Sequence, residues 1–519
     1  MKHKRRICIY SICLVVSLVF IWGLTKKTET SISNKTMDTS QEEHGSKNID
    51  AVSYEMELSL DTDENSLTET VVMEINNNTD KPVSELCLRD MTPEILKYCE
   101  DNYSEDNYSE DNKNLETNII SIMSKNSNEQ LKYKYGEDKS VLYVELTGEN
   151  IIKPNETKLI TVQMKTDIPN RGDRFGYRET EKGKLYALSF CFPYLADNEK
   201  GEWIIESFFD DGESRSNDLA DYSVKLKIPE SYEVAMTGKE EKVNDIFITT
   251  AKDVRDFAIV ACDFMEKESF EAEGIQVNNY YLVGEYAEEY KEITKAVAKD
   301  SLSVFSKQIG KYPYEEIDIV PCLFGFGYGG MEYPGLIMAN ASSYFDGPFR
   351  DAISLEDKIS HEIAHQWFYA AVGNREYSEG WLDEGFATLL EKDVYGLSAC
   401  EAHDLVKRYE PSYPSIEEKE KYRTECLEDA REFYENIYLN VAPDKYPDEQ
   451  YYGTAEYDGS YTFLQEVRVL LGDDIFMDFV RKYYEQFYMK IVKTEDVLKL
   501  LKEYNDSEKM DEIIKFYFR

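Results

Sequence analysis

His361-Glu362-Ile363-Ala364-His365 is followed, with 18 residues between His365 and Glu384, by Trp381-Leu382-Asp383-Glu384-Gly385. The first run lies within Ile353–Val372, where apolar residues recur at helical spacing until Gly373-Asn374 stops the pattern. Residues four apart share one helix face, so both imidazoles reach a single ion with Glu362 beside them. The second run opens another helical pattern, Trp381–Tyr395, ended by Gly396. A turn between two helices folds Glu384 back towards the histidines. Two His and one Glu give three protein ligands and one open position, the donor set of a catalytic rather than a structural zinc site. We therefore expect one Zn2+ per chain, held by His361, His365 and Glu384. Glu362, which is not a ligand, is placed to take a proton from water and return it to a leaving amine. Glu391 lies seven residues past Glu384 on the same face. It is a candidate to hold the ring N–H of a ligand imidazole, with a plain surface carboxylate as the alternative. The chain has only five His. The bland alternative for the whole motif is a helix that carries two of them and a Glu without an ion.

Outward from this centre, the second half of the chain reads as α+β. Ala287–Ile309 is helical and stops at Gly310, Ile317–Val320 is a strand, and helical patterns dominate from Ile353 to Arg519. The first half reads differently. Tyr54, Met56, Leu58 and Leu60 alternate with polar residues, as do Val71, Met73 and Ile75. Val141–Leu146, Leu159–Met164, Tyr222–Ile228 and Ile246–Thr249 add further short runs of strand formers. We expect an all-β domain over residues 51–262 and a second domain over 263–519. Within the first, Glu100-Asp101-Asn102-Tyr103-Ser104 repeats as Glu105–Ser109 and begins again at Glu110. A tandem acidic pentad has no face to bury and reads as a solvated loop at about residues 100–114.

The N-terminus carries the one long apolar run, Ile7–Leu24, flanked by Lys2, Lys4, Arg5 and Arg6 before it and by Lys26 and Lys27 after it. It reads as a signal anchor and transmembrane helix over residues 1–27, with a cleaved signal peptide as the alternative. Either reading exports the bulk of the chain, and the anchor fixes it to the cell membrane as a single-pass protein. Residues 28–50 are Ser, Thr, Lys, Glu and Asn with no aromatic, the composition of a flexible stalk. Lys plus Arg number 59 against 102 Asp plus Glu, a net charge of −43 that repels phosphate backbones and excludes nucleic acid as a partner. Of nine Cys, two lie in the apolar run and seven are scattered without a C-x-x-C pair. Most of these read as small buried hydrophobes.

The motif, its 18-residue spacing and the continuation Trp381–Ala387 resemble the aminopeptidase N (membrane alanyl aminopeptidase) family of gluzincin zinc metallopeptidases. Gly329-Gly330-Met331-Glu332-Tyr333 is similar to that family's G-x-M-E-N stretch. The resemblance implies an edge strand whose backbone at Gly329, Gly330 and Met331 pairs with a peptide. It also implies that Glu332 holds the substrate's free α-amino group. Tyr457-Asp458-Gly459 looks like the family's Y-x-x-G stretch, whose Tyr donates to the tetrahedral oxyanion; Tyr452 competes for that role. Asp221-Tyr222-Ser223-Val224 and Asp256-Phe257-Ala258 resemble the family's saddle-shaped N-terminal β domain. The implied architecture is α+β multidomain: an N-terminal saddle-like antiparallel β domain followed by a thermolysin-like zinc catalytic domain. The implied activity is removal of N-terminal residues from peptide substrates.

Several positions depart from the family pattern. Asp383 replaces an Asn, Asp458 a basic residue and Tyr369 a common Gly, while Ser189–Pro193 lacks the Gln that helps hold the α-amine. The chain ends 62 residues after Tyr457, which implies a short form lacking the C-terminal helical domain. Two alternatives follow: a zinc endopeptidase with an open cleft, or a catalytically silent peptide-binding surface protein. The oligomeric state has no signature in the sequence.

Overall fold

A computed structural model describes residues 48–102, 112–210, 218–325, 328–345, 352–406 and, apart from 428–429, 432, 435–436 and 447–448, residues 427–519. The anchor expected over residues 1–27, nearly all of the stalk, and positions 103–111 of the acidic repeat lie outside these residues. Among the described residues, no helix is long and apolar enough to cross a membrane.

The first half is built on an eight-stranded sheet in the order Lys239–Val243, Ile246–Val254, Ala220–Lys227, Ile49–Asp61, Ser66–Asn77, Thr157–Asp167, Thr117–Ser124, Glu129–Gln130. Its register follows from period-two alternation. Tyr54, Met56, Leu58 and Leu60 are all buried on one face, and Val71, Met73 and Ile75 across from them have no exposed surface. Two four-stranded sheets pack against it. One orders Glu233–Met236, Ile259–Cys262, Gly183–Leu188 and Phe175–Thr180. The other orders Tyr194–Leu195, Glu85–Arg89, Val141–Glu145 and Lys132–Tyr135.

Two details differ from an antiparallel all-β expectation. Ile49–Asp61 pairs in parallel with Ala220–Lys227, which a long intervening chain makes possible. A helix, Thr92–Asp101, also interrupts the strands; Pro93 fits its first turn, and Ile95, Leu96 and Cys99 bury its inner face. Cys87, Cys99, Cys191, Cys262 and Cys322 are buried free thiols, whereas Cys400 is exposed.

In the second half, a five-stranded sheet runs Met265–Ala272, Ile275–Leu282, Glu316–Cys322, Leu336–Asn340, Gly330–Met331. Its three middle strands are mutually parallel, joined through the helix Ala287–Gln308 and through the hairpin at Gly330. Such strands are covered on both faces, and Ile317, Ile319, Val320, Leu336, Ile337 and Met338 have no exposed surface. The histidine helix Ala352–Ala364 packs on this sheet and on Ala287–Gln308. It is shorter than the helix predicted to Val372. The helix ends at Ala364, tightens into turns at Gln366 and Trp367, and is kept from resuming by Tyr369, which adopts φ +132°. The next long helix, Trp381–Leu389, widens into a π-turn at Leu390–Tyr395 along the stretch predicted as one helix.

Candidate metal centre

The last turn of the histidine helix, which carries His361, meets the first turn of Trp381–Leu389, which carries Glu384, and that contact assembles the centre. His361 Nε2 lies 3.0 Å from Glu384 Oε2, His365 Nε2 lies 3.1 Å from His361 Nε2, and His365 Nε2 lies 3.4 Å from Glu384 Oε2. The outer ring nitrogens are already engaged. His361 Nδ1 is 3.2 Å from Glu391 Oε2, and His365 Nδ1–H donates to the Phe368 carbonyl at 3.1 Å. Because these partners only accept, each ring keeps its Nε2 lone pair facing inward. A tetrahedral zinc with donors at about 2.0–2.1 Å sets them roughly 3.3 Å apart. The three separations and the nitrogen–carboxylate chemistry fit that ion.

The supporting side chains explain why these three converge. Glu391 sits in the π-turn, where the wider backbone brings its carboxylate to His361. Gly385 makes the approach of Trp381–Leu389 to Ser460–Leu471 possible, since a Cβ there would stand 2.6 Å from the Ser460 Cβ. The π-turn that leads into Ser460–Leu471, Ala455–Gly459, carries Tyr457. Tyr457 is 42% exposed, yet its hydroxyl reaches inward and donates to Glu384 Oε1 at 2.6 Å. Its ring stacks on His361 with centroids 5.8 Å apart. Tyr452 instead packs edge-on against Phe209.

Glu362 is 6% exposed, on the histidine helix one residue from His361. Burial pushes its carboxyl up to about 7 against the pull of the two imidazoles. Burial also raises the Glu384 carboxyl, but His365 and His361 outweigh it and hold it below the ordinary range. Loss of water around the Tyr457 hydroxyl, with Glu384 beside it, raises the phenol well above its ordinary value and keeps it a neutral donor.

Gly330–Met331 forms the edge of the five-stranded sheet, paired only to Met338–Ala339. A Cβ on Gly330 would meet Glu362 Oε1 at 2.5 Å, so glycine is what lets the edge lie against that carboxylate. Gly329 has ordinary room beside the Lys358 stem, and Met331 is buried beneath the strand. Glu332 follows, 8% exposed; against burial, Glu384 raises the His365 imidazole, and Glu332 adds the smallest share.

Sequence reasoning passed over Gln366, whose side chain ties this edge to the histidine helix. It accepts from Gly335 N at 2.8 Å and donates to the carbonyls of Glu332 and Tyr333 at 3.3 and 3.1 Å. Its adjacency to His365 was the only available signal. Glu456 was also missed; it is fully buried against Gly380, and burial, then Asp383 and Glu384, drive its carboxyl upward.

The departures from the family pattern have local answers. Asp383 accepts from Glu384 N at 2.9 Å, and burial, then Glu384, push it up to about 7. Asp458 lies 3.7 Å from Lys392. Tyr369 takes a glycine-like φ and is held there by Asp256, which accepts from its hydroxyl at 2.5 Å.

Residues 294–517 match the family model described as the Peptidase family M1 domain. Human aminopeptidase O is 26% identical over 224 residues, which is 41% of this chain and 27% of that protein. Mouse aminopeptidase B is 27% identical over 224 residues, 41% of this chain and 31% of that protein. The chain thus spans under a third of these curated relatives. Among solved structures, the M1 zinc metallopeptidase from Deinococcus radiodurans superposes with a TM-score of 0.61 at 16% identity, over 91% of this chain and 94% of that one. A mutant two-domain M1 zinc metallopeptidase bound to L-arginine gives 0.60 at 18% identity, over 91% and 94%. The fold is that of these two-domain structures, an N-terminal β domain followed by a mixed catalytic domain.

Proposed function

From a chain whose residues 294–517 match the M1 peptidase domain, we propose a zinc metallopeptidase that removes residues from the free N-terminus of peptides. The observation that carries it is the convergence of His361, His365 and Glu384 with Glu362 directly against the Gly330–Met331 edge. When bound, one zinc per chain supplies Lewis-acid polarisation and lowers the pKa of water.

The chain's own residues do the rest. The open edge at Gly330–Met331 pairs with the substrate backbone and sets its register. Glu332, beside His365, takes the α-ammonium and fixes which peptide bond reaches Glu362. Glu362 accepts the proton of the attacking water and hands it to the leaving amine, work suited to a carboxyl poised near neutrality. The Tyr457 hydroxyl turns from Glu384 to the oxyanion, a neutral donor aimed at developing charge. A structural relative from Deinococcus radiodurans, in mutant form, is described as bound to a Tyr-Ser-Ala substrate, which supports a peptide as the ligand class. The proposal keeps the chain on the extracytoplasmic side of the cell membrane through Ile7–Leu24.

One observation favours a second reading, cleavage within peptides. Ser189, Phe190, Cys191, Phe192 and Pro193 are all buried and offer no side-chain amide, so Glu332 is the one named anchor for the amine. Matched peptides with free and acetylated N-termini, offered to the zinc-loaded chain and read by mass, test both readings. Trimming confined to free termini, and lost in Glu332→Ala, is expected. Cleavage of both sets would establish the endopeptidase reading instead. No cleavage of either set, with zinc bound, would leave a binding protein.

A further inference from the structure

Away from the zinc centre, the β half and the catalytic sheet face each other across a cleft of about 1390 Å3 lined by Glu240, Lys267, Glu316 and Asn278 among others. Glu316 and Asp318 are two apart on the strand Glu316–Cys322 and so share a sheet face, while Ile317 and Ile319 point into the core with no exposed surface. Asn278 sits in register beside Asp318 on the neighbouring strand. Glu240 reaches the same spot from Lys239–Val243, the edge strand of the eight-stranded sheet. One carboxylate oxygen from each of Glu240, Glu316 and Asp318 lies within 4.8 Å of those of the other two.

The hydrogen bonding is half complete. Asp318 Oδ1 accepts from Asn278 Nδ2 at 2.8 Å, and Glu240 Oε1 accepts from the Tyr280 hydroxyl at 2.7 Å and from Lys267 Nζ at 3.2 Å. Asp318 Oδ2, Glu240 Oε2 and Glu316 Oε1 are buried and have no partner. Asp318 is 1% exposed, so its open oxygen has no access to bulk water. An uncompensated buried carboxylate oxygen is expensive, and three at one place are more so. Lys267, which also lies 3.6 Å from Glu233, and Lys239 near Glu316 offset part of this negative charge, but neither reaches the open Asp318 oxygen within hydrogen-bond distance. Burial, and then the neighbouring Glu240, push the Asp318 and Glu316 carboxyls upward, as expected where charge is not balanced.

We propose that Glu240, Glu316 and Asp318 bind a calcium ion that ties the β half to the catalytic sheet. The donors are all hard oxygens, which suit Ca2+ and not zinc. Opposed oxygens around Ca2+ stand up to about 4.6–5.2 Å apart, which accommodates the spread of this trio. The site is separate from the zinc centre. Asp318 pairs with Leu336 at the opening of its strand, whereas Gly330 meets Glu362 beside Ala339, three residues further along. Because Glu240 comes from one half and the other two ligands from the other, the ion acts as a cross-link at the junction.

The test uses the full chain, freed of divalent ions, reloaded with zinc and titrated with CaCl2 by calorimetry and thermal melting. One saturable Ca2+ per chain at or below about 1 mM is expected, with a melting temperature several degrees higher. Both responses should disappear in Asp318→Asn at unchanged zinc content. Glu240→Gln, at a more accessible position, is the second variant and should weaken Ca2+ binding at least tenfold. No saturable binding by the wild-type chain would overturn the proposal and leave a shared proton as the way the trio is balanced. A Ca2+ response that survives both substitutions would overturn it equally, since the ion would then bind elsewhere on an acidic chain.

Discussion

At the scale of single residues, the site turns on how close Glu362 lies to its neighbours. It is adjacent in sequence to His361, buried, and touched by the one glycine whose Cβ would displace it. A general base contributes about 10²–10⁴-fold, and removing its charge leaves the three ligand atoms in place. Glu362→Gln is therefore expected to retain one zinc per chain by metal analysis while kcat falls about a thousandfold or more. Near-normal turnover would mean that another group handles the proton. The two histidines and Glu362 were legible because a helix fixes i and i+4 locally, whatever the rest of the chain does. Glu391 was legible as a candidate by spacing alone. What delivers its carboxylate to His361 is a π-turn, for which the sequence Leu390–Tyr395 carries no recognisable signal.

At the scale of elements, the helices that carry His361 and Glu384 are positioned by buried polar contacts that hydrophobic periodicity does not reveal. The Trp381 indole donates to Thr494 Oγ1 at 2.8 Å, and Glu379 accepts from Thr494 N at 3.3 Å, so the helix Thr494–Tyr504 is pinned to the start of Trp381–Leu389. Burial pushes the Glu379 carboxyl from 4.5 up to about 7. A carboxyl raised in the folded state binds its proton more tightly there than when unfolded. Its contribution to stability is thus whole below about 4.5 and lost as the pH rises through about 7. Glu379→Gln keeps an acceptor for Thr494 but cannot ionise. Denaturant melts at pH 5 and pH 8 should show the variant gaining on the wild type by on the order of 1–3 kcal/mol between the two. A constant difference would mean that Glu379 is solvated like a surface carboxylate. The histidine helix shows the same limit of sequence reading: periodicity continued to Val372, but the backbone turns at Tyr369 because neighbours in the other half hold it there.

For the whole molecule, the join between the halves is the decisive feature. The Arg255 guanidinium, from the β half and 3% exposed, donates to the carbonyls of Tyr369, Ala370, Ala371 and Lys490 at 2.9, 3.2, 3.4 and 3.0 Å. Gly373 lies flat against it; a Cβ there would stand 2.4 Å from the guanidinium. Asp256 next door holds the Tyr369 hydroxyl. The segment that follows His361 and His365 is thus shaped by residues over a hundred positions earlier in the chain. Hydrogen bonds from a charged donor are worth about 1.5–3 kcal/mol each, so Arg255→Met should destabilise the chain by at least ~3 kcal/mol. Tyr369→Phe, which removes the hydroxyl's bond to Asp256, should lose about 1–2 kcal/mol, and both values are readable by chemical denaturation. A smaller loss for Arg255→Met than for Tyr369→Phe would show that the guanidinium is not what holds this turn.

The sequence by itself determined the donor set brought together at the candidate centre and the two kinds of architecture around it. Ligand spacing on a helix is a local property, and so is the alternation of Tyr54, Met56, Leu58 and Leu60 that marks a half-buried strand. Tertiary structure alone decided how far each helix runs, which carboxylate meets which imidazole, and where the two halves touch. Arg255 on the Tyr369–Ala371 carbonyls, Gln366 under the Gly330 edge, and Glu240 beside Glu316 and Asp318 are contacts between residues far apart in the chain. No pattern within a short window records them, because their energy comes from burying polar groups against partners that only the completed fold supplies.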